Sequence, residues 1–130
     1  MDGILVPLSP GELLDKITIL RIKSARIEDG AKLENVRREL ALLEQVWQRS
    51  VPAAQELAGE AQALERVNGQ LWDIEDRIRE HEARQRFDSA FVELARSVYL
   101  NNDERAAIKQ RINRKLNSAI VEEKSYAPYR

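Results

Sequence analysis

GELLDKITILRIKSARI, Gly11 to Ile27, is the stretch that decides how this chain folds. Leu13, Ile17, Leu20, Ser24 and Ile27 recur at steps of three and four, which marks one apolar face of a helix. Glu12, Lys16, Ile19, Lys23 and Arg26 recur at the same steps and draw a second, charged stripe. Ile19 and Ile22 flank the first stripe, so burial is expected over a wide arc. Charges on such a helix lie near a close-packed surface, where charge is costly unless paired. Ser9-Pro10-Gly11-Glu12 reads as a capping box, with Ser9 at the N-cap and Pro10 at the first helical position. Asp29-Gly30 reads as the stop, with Gly30 free to take a positive φ.

Working outward, the periodicity predicts a second helix over about Ala31–Arg49. Its seam is Leu33, Val36, Leu40, Leu43 and Trp47, spaced as in a coiled coil. Pro52 disfavours helix at Val51 and breaks it. A third helix is expected from near Pro52 to about Arg84, antiparallel to the second. Gly59 and Gly69 each weaken it by about 1 kcal/mol, so a kink is allowed for. The fourth runs from about Ser89 to Leu100 with Asp88 as N-cap. Asn101-Asn102 reads as a turn into a fifth, Asp103–Leu116. Ile4–Leu8 is expected to be extended, and the tail Asn117–Arg130 to fold back, with Ile4–Leu8 as one place to lie. The fold class is therefore all-α, a bundle of about five helices with short extended ends, in one domain over residues 1–130.

The composition fits a soluble helical protein, with 33% charged residues and only 5 Gly and 4 Pro. Its 21 basic and 22 acidic residues nearly cancel, which argues against nucleic acid as the partner. With no cysteine there is no disulfide, thiol catalysis or zinc–thiolate site, as suits the cytoplasm. The N-terminal residues lack the cationic region of a signal peptide. No apolar run approaches the 18 or so residues of a membrane span, so no membrane partner is expected.

Three constellations could carry function. Lys16, Lys23 and Arg26 on the first helix could grip a carboxylate or phosphate; equally, Glu12 and Lys16 form an ordinary surface pair. On LWDIEDRIRE, Glu75 lies beside the apolar stripe, and Asp73 and Asp76 stand three apart. Carboxylates so spaced build the metal sites of all-α nucleotide hydrolases, but those need a second pair on a neighbouring helix. The third group is Glu93, Arg96, Asn101, Asn102, Asp103, Arg105 and Lys109 around one helix–turn–helix corner, where a helix N-terminus attracts anions; equally, Asn102 or Asp103 fills that end as a cap. His81 is the sole histidine. Ile78 precedes it by three, so the Glu-x-x-His unit of a di-iron site is missing, and neither metal nor cofactor is expected.

PLSPGELLDKITILRIKSARI, KLENVRREL, VNGQLWDIEDRIRE, FDSAFVELARSVYLNNDERAAIKQRIN and EEKSY together resemble one bacterial and phage family, a domain of unknown function. The resemblance covers nearly the whole chain. It implies no catalytic residues, and a setting near surface-polysaccharide genes. The family at times carries the label N-acetylglucosaminyl transferase. A nucleotide-sugar transferase normally needs an α/β domain, which this helical pattern does not build. A looser likeness is to the all-helical chorismate mutases, in which basic residues of a long first helix face a dicarboxylate.

The reading that follows is a small cytoplasmic binding or accessory module for an anionic sugar or nucleotide-linked ligand. The alternatives are a small all-α enzyme on an anionic metabolite and a structural dimerisation module. The narrow second-helix seam, ending in Trp47, favours a two-fold homodimer. The candidate ligand-binding residues are Lys16, Lys23, Arg26, Glu75, Glu93, Arg96, Asn101 and Arg105.

Overall fold

The computed structural model describes residues 1–51 and 54–129. Every regular element in them is helical: α1 (Pro10–Arg26), α2 (Gly30–Ser50), a 3-10 turn (Ala54–Leu57), α3 (Ala58–Ala83) and α4 (Ser89–Lys115). The expected break at Pro52 lies outside the described residues, as does Arg130.

α1 starts where the capping box puts it, with the Ser9 hydroxyl accepting from the Glu12 amide at 3.2 Å. It ends in extended backbone at Ile27. Asp29 caps the start of α2, accepting from the Lys32 amide, and Gly30 is the first residue of that helix. The Asp29-Gly30 stop is thus corrected to a start, and the positive-φ glycine among the described residues is Gly3, not Gly30.

The expected fourth and fifth helices are one. α4 runs unbroken through Asn101 and Asn102 for 27 residues. Asn101 donates its side-chain amide to the Ser97 carbonyl at 2.8 Å, so its polar group is satisfied inside the helix. Asparagine costs a helix interior at most about 0.7 kcal/mol, which packing along a neighbouring helix easily offsets. That neighbour is α3, and the two form the main helical hairpin. α2 packs on α1 rather than pairing with α3 as expected. The link between α1 and α2 is only Ile27 to Asp29, short enough to enforce antiparallel neighbours.

The core gathers at one end. Leu14, Val51, Leu57, Leu64, Val67, Ile108 and Ile112 are buried together, with Trp47, Ala61, Leu71 and Leu116 against them. Trp47 therefore closes the core instead of being left over. Leu42 and Val46, on the next faces of α2, stay exposed.

Both hairpin helices end in an αL residue. After α3, Gln85 has φ 51°. Arg86 then bonds to the His81 carbonyl and Gln85 to that of Glu82. After α4, Asn117 repeats this, with Ser118 bonding to Asn113 and Asn117 to Arg114. This double bond pattern is the Schellman motif, for which asparagine is a natural residue. It turns the tail away from the helix axis, and the tail then runs back along α4. Ile4, Leu5 and Val6 remain largely exposed.

Candidate functional site

The site is built on the contact of α1 with α4. Gly11 lets the helices touch: a Cβ there would lie 2.6 Å from the Lys109 carbonyl oxygen and 2.9 Å from Asn113 Oδ1. The Gly11 amide, left free at the helix start, donates to Asn113 Oδ1 at 2.8 Å. At the next residue, and one turn back along α4, Glu12 Oε2 takes Lys109 Nζ at 2.5 Å, and Glu12 also holds Lys16 at 3.7 Å. A further turn on, Asp15 is fully buried and grips Arg105 with both oxygens, at 2.9 and 2.5 Å. Asn68 of α3 donates to Asp15 at 2.9 Å and to Thr18 Oγ1 at 3.1 Å. Thr18 in turn donates to the Asp15 carbonyl. Among the described residues no buried side-chain polar atom lacks a partner. A network this completely satisfied can fix register and orientation without an unpaired charge.

These pairings set the charges. The Asp15 carboxylate holds the Arg105 guanidinium above its ordinary range, against the opposing effect of partial burial. Burial pushes the Lys109 ammonium down, but hydrogen bonds to Glu12 and Glu122 outweigh it and the pKa lies above the usual lysine value.

Arg105 and Lys109 also face the other side of α4, where the C-terminal tail walls off a cleft of about 1000 Å³. Tyr99 on α4 and Tyr126 and Tyr129 on the tail line it. The Tyr99 and Tyr129 rings are 5.1 Å apart, and Lys124 sits 5.4 Å over the Tyr126 ring. The tail is fastened at two places. Glu122 accepts from Lys109 at 2.9 Å. Asp103 accepts from both Lys124 and Tyr129. Those contacts are polar, and Ile120 and Val121 remain exposed, so electrostatics does much of the fastening.

The structure distributes the sequence-derived candidates over several surfaces. Arg105 lines the cleft. Arg96 does not line it; hydrogen bonds to Tyr99 and Glu93 raise its guanidinium pKa. Asn101 turns back on its own helix. Glu75 borders a separate, shallower hollow with Trp72, Asp76 and the far side of Arg105. Glu93 pairs with Arg96 at 2.9 Å and lines another hollow with Arg77 and His81. Arg26 binds Asp73 at 2.5 Å, both side chains being exposed, and lies 5.8 Å from the centre of the Trp72 ring. Lys16 is exposed and held by Glu12. Lys23 is half-buried, with no ion pair among the described residues. Asp73 is thus engaged by an arginine rather than set beside Asp76 for a metal. Among the described residues no three His, Asp or Glu side chains are grouped to hold one.

Sequence reasoning missed Asp15, Thr18, Asn68, Asn113 and Glu122. The signal was present for the first two. Gly11, Asp15, Thr18 and Ile22 recur at steps of four, three and four, and all are buried. Aspartate is also a poor residue for a helix interior, so one placed on a buried stripe calls for a partner.

Among the described residues no helix is long and apolar enough to cross a membrane. No curated protein and no solved structure matches the chain significantly. Residues 4–129 do match a family, the family of unknown function DUF6165. That span holds α1 to α4, the Asp15–Arg105 network and the tyrosine cleft, and the chain belongs to this family.

Proposed function

We propose that the protein is a small binding module whose site is the cleft between α4 and the C-terminal tail. The observation that carries this reading is the company the three tyrosines keep. Tyr99, Tyr126 and Tyr129 share one concave surface with Arg105, Lys109, Asn102 and Gln110. Aromatic faces beside a few polar groups are what a ring-bearing polar metabolite requires. The class that fits is an anionic sugar or a nucleotide-linked ligand, its ring against tyrosine and its hydroxyls on amides and carboxylates. The cleft has the volume for such a molecule, since ligand sites usually span about 300–1000 Å³. Such a ligand also suits a cytoplasmic accessory role in surface-polysaccharide metabolism.

A thermal-shift screen with nucleotide sugars, sugar phosphates and dicarboxylates tests the reading. A ligand at a hundred times its dissociation constant should add about 2.7 kcal/mol to wild-type stability. Tyr126→Ala, at a highly exposed side chain, should abolish that gain while leaving the fold intact. No shift with any compound, or an equal shift in the variant, defeats the reading.

A second reading, self-association, draws on a different observation. Leu42 and Val46 on α2, and Val92 and Leu100 on α4, are large apolar side chains left in water.

A further inference from the structure

The Lys109 ammonium is buried beneath the cleft and holds two carboxylates of different standing. Glu12 belongs to α1 and is fixed by the contact of that helix with α4. Glu122 belongs to the tail, has no helix behind it, and is about half exposed. Around them Asp15 neutralises Arg105, and Lys16 stands on the far side of Glu12. Acids and bases in this group balance, with Glu12, Asp15 and Glu122 against Lys16, Arg105 and Lys109. Withdrawing Glu122 leaves one positive charge uncompensated and a buried ammonium short of an acceptor, which is costly unless another anion arrives.

We infer that Glu122 occupies the place of a ligand's acidic group, and that a carboxylate or phosphate entering the α4–tail cleft replaces it on Lys109 and frees the tail. This rests on the binding-module reading and adds which group the acid meets and what moves when it does. The tail is suited to the exchange. It has no regular structure, and its fastening is by polar contacts that a competing anion and water can replace. Opening at Glu122 loosens the wall that carries Tyr126 and Tyr129. A ligand with both a ring and an acid could then re-close that wall over itself.

Glu122→Gln and Glu123→Gln test the exchange together. Glu123 lines the same cleft one residue on, so its substitution removes the same charge without touching the Lys109 pair. Binding of inorganic phosphate and, separately, of acetate is measured by calorimetry at fixed ionic strength for wild type and both variants. Loss of the internal competitor should raise the affinity of Glu122→Gln about tenfold, because the open state is no longer a minor one. Glu123→Gln should gain clearly less than Glu122→Gln, since it removes cleft charge but no competitor on Lys109. A gain for phosphate alone or for acetate alone tells which acid the position takes. In wild type, saturating anion should speed amide hydrogen exchange across residues 119–129. Equal affinity in all three proteins, an equal gain in Glu123→Gln, or unchanged exchange overturns the inference. If a sugar ligand still stabilises wild type through Tyr126 while Glu122→Gln gains nothing, the binding module stands and the tail exchange falls.

Discussion

The α3–α4 hairpin has two unlike halves. In the near half, Leu64, Val67, Ile108 and Ile112 are almost wholly buried, and Asn68, Lys109 and Asn113 are buried beside them. In the far half, residues 76–83 and 89–96, no side chain is fully buried, and Ile78, Phe91 and Leu94 are only half covered. Length explains the difference. At about 1.5 Å per residue, α3 and α4 each reach about 40 Å and α1 only about 25 Å. α1 begins against Asn113 and ends with Arg26 on Asp73, so it covers the near half and stops. Apolar periodicity is similar along the whole hairpin. It reports that a helix has an inward face, not that a third helix lies there to cover it.

The largest effects should fall in the near half. Leu64→Ala should cost about 3 kcal/mol, since the side chain is wholly buried and leaves a cavity. Asp15→Ala should cost a similar amount, about 3 kcal/mol, by stranding Arg105 and Asn68. The value is at the low end for a buried pair because Arg105 keeps some contact with water. Leu94→Ala, the far-half counterpart, should cost less than about 1 kcal/mol. Urea denaturation of the three variants makes the comparison, and equal losses for Leu64 and Leu94 would break it.

Gly11→Ala comes next. The new methyl would press on backbone rather than on a side chain that can move aside, so overpacking should cost about 2 kcal/mol. An unchanged midpoint would mean that α1 and α4 can separate freely. The same contact has a pH signature. Lys109 has a raised pKa when folded, so its contribution is fully present below the unfolded lysine value of about 10.4. It is lost as pH rises through the folded value. The urea midpoint should therefore fall in the alkaline range, and Lys109→Met should flatten that part of the profile.

The helix ends show how much could be read in advance. Ser9 and Asp88 cap α1 and α4 as their sequence context indicates, because a cap is decided within three residues. The all-helical class and the long inward stripes were legible for the same local reason. The single α4 was not, because the fate of Asn101 depends on α3 lying alongside. Asp15, Asn68 and Arg105 come from three helices and read as separate polar residues until the chain brings them within hydrogen-bonding distance. Glu122 carries still less signal, since nothing near it in sequence indicates Lys109. Arg105 was singled out for a possible anion, and the structure gives it Asp15 as an internal one. Ser9→Ala should cost about 1 kcal/mol. Gln85→Gly should gain about 1 kcal/mol, because glycine takes the αL conformation without the Cβ penalty. Thermal melts of the pair would show whether a far-half cap counts as much as a near-half one.

The smallest effect on monomer stability is expected at Val92, in the far half. Its side chain is about half exposed. Val92→Ser should therefore move the low-concentration midpoint by less than about 0.5 kcal/mol. Its effect on association should be different. Val92 and Leu100 leave apolar surface exposed on α4, and a second copy could cover it. Light scattering at high micromolar concentration should then give a dimer for wild type and a shift toward monomer for Val92→Ser. Wild type that stays monomeric would leave the far half as a bare two-helix arm. A loss near 2 kcal/mol at every concentration would mean instead that Val92 belongs to the monomer's own core, and the two halves of the hairpin would be alike after all.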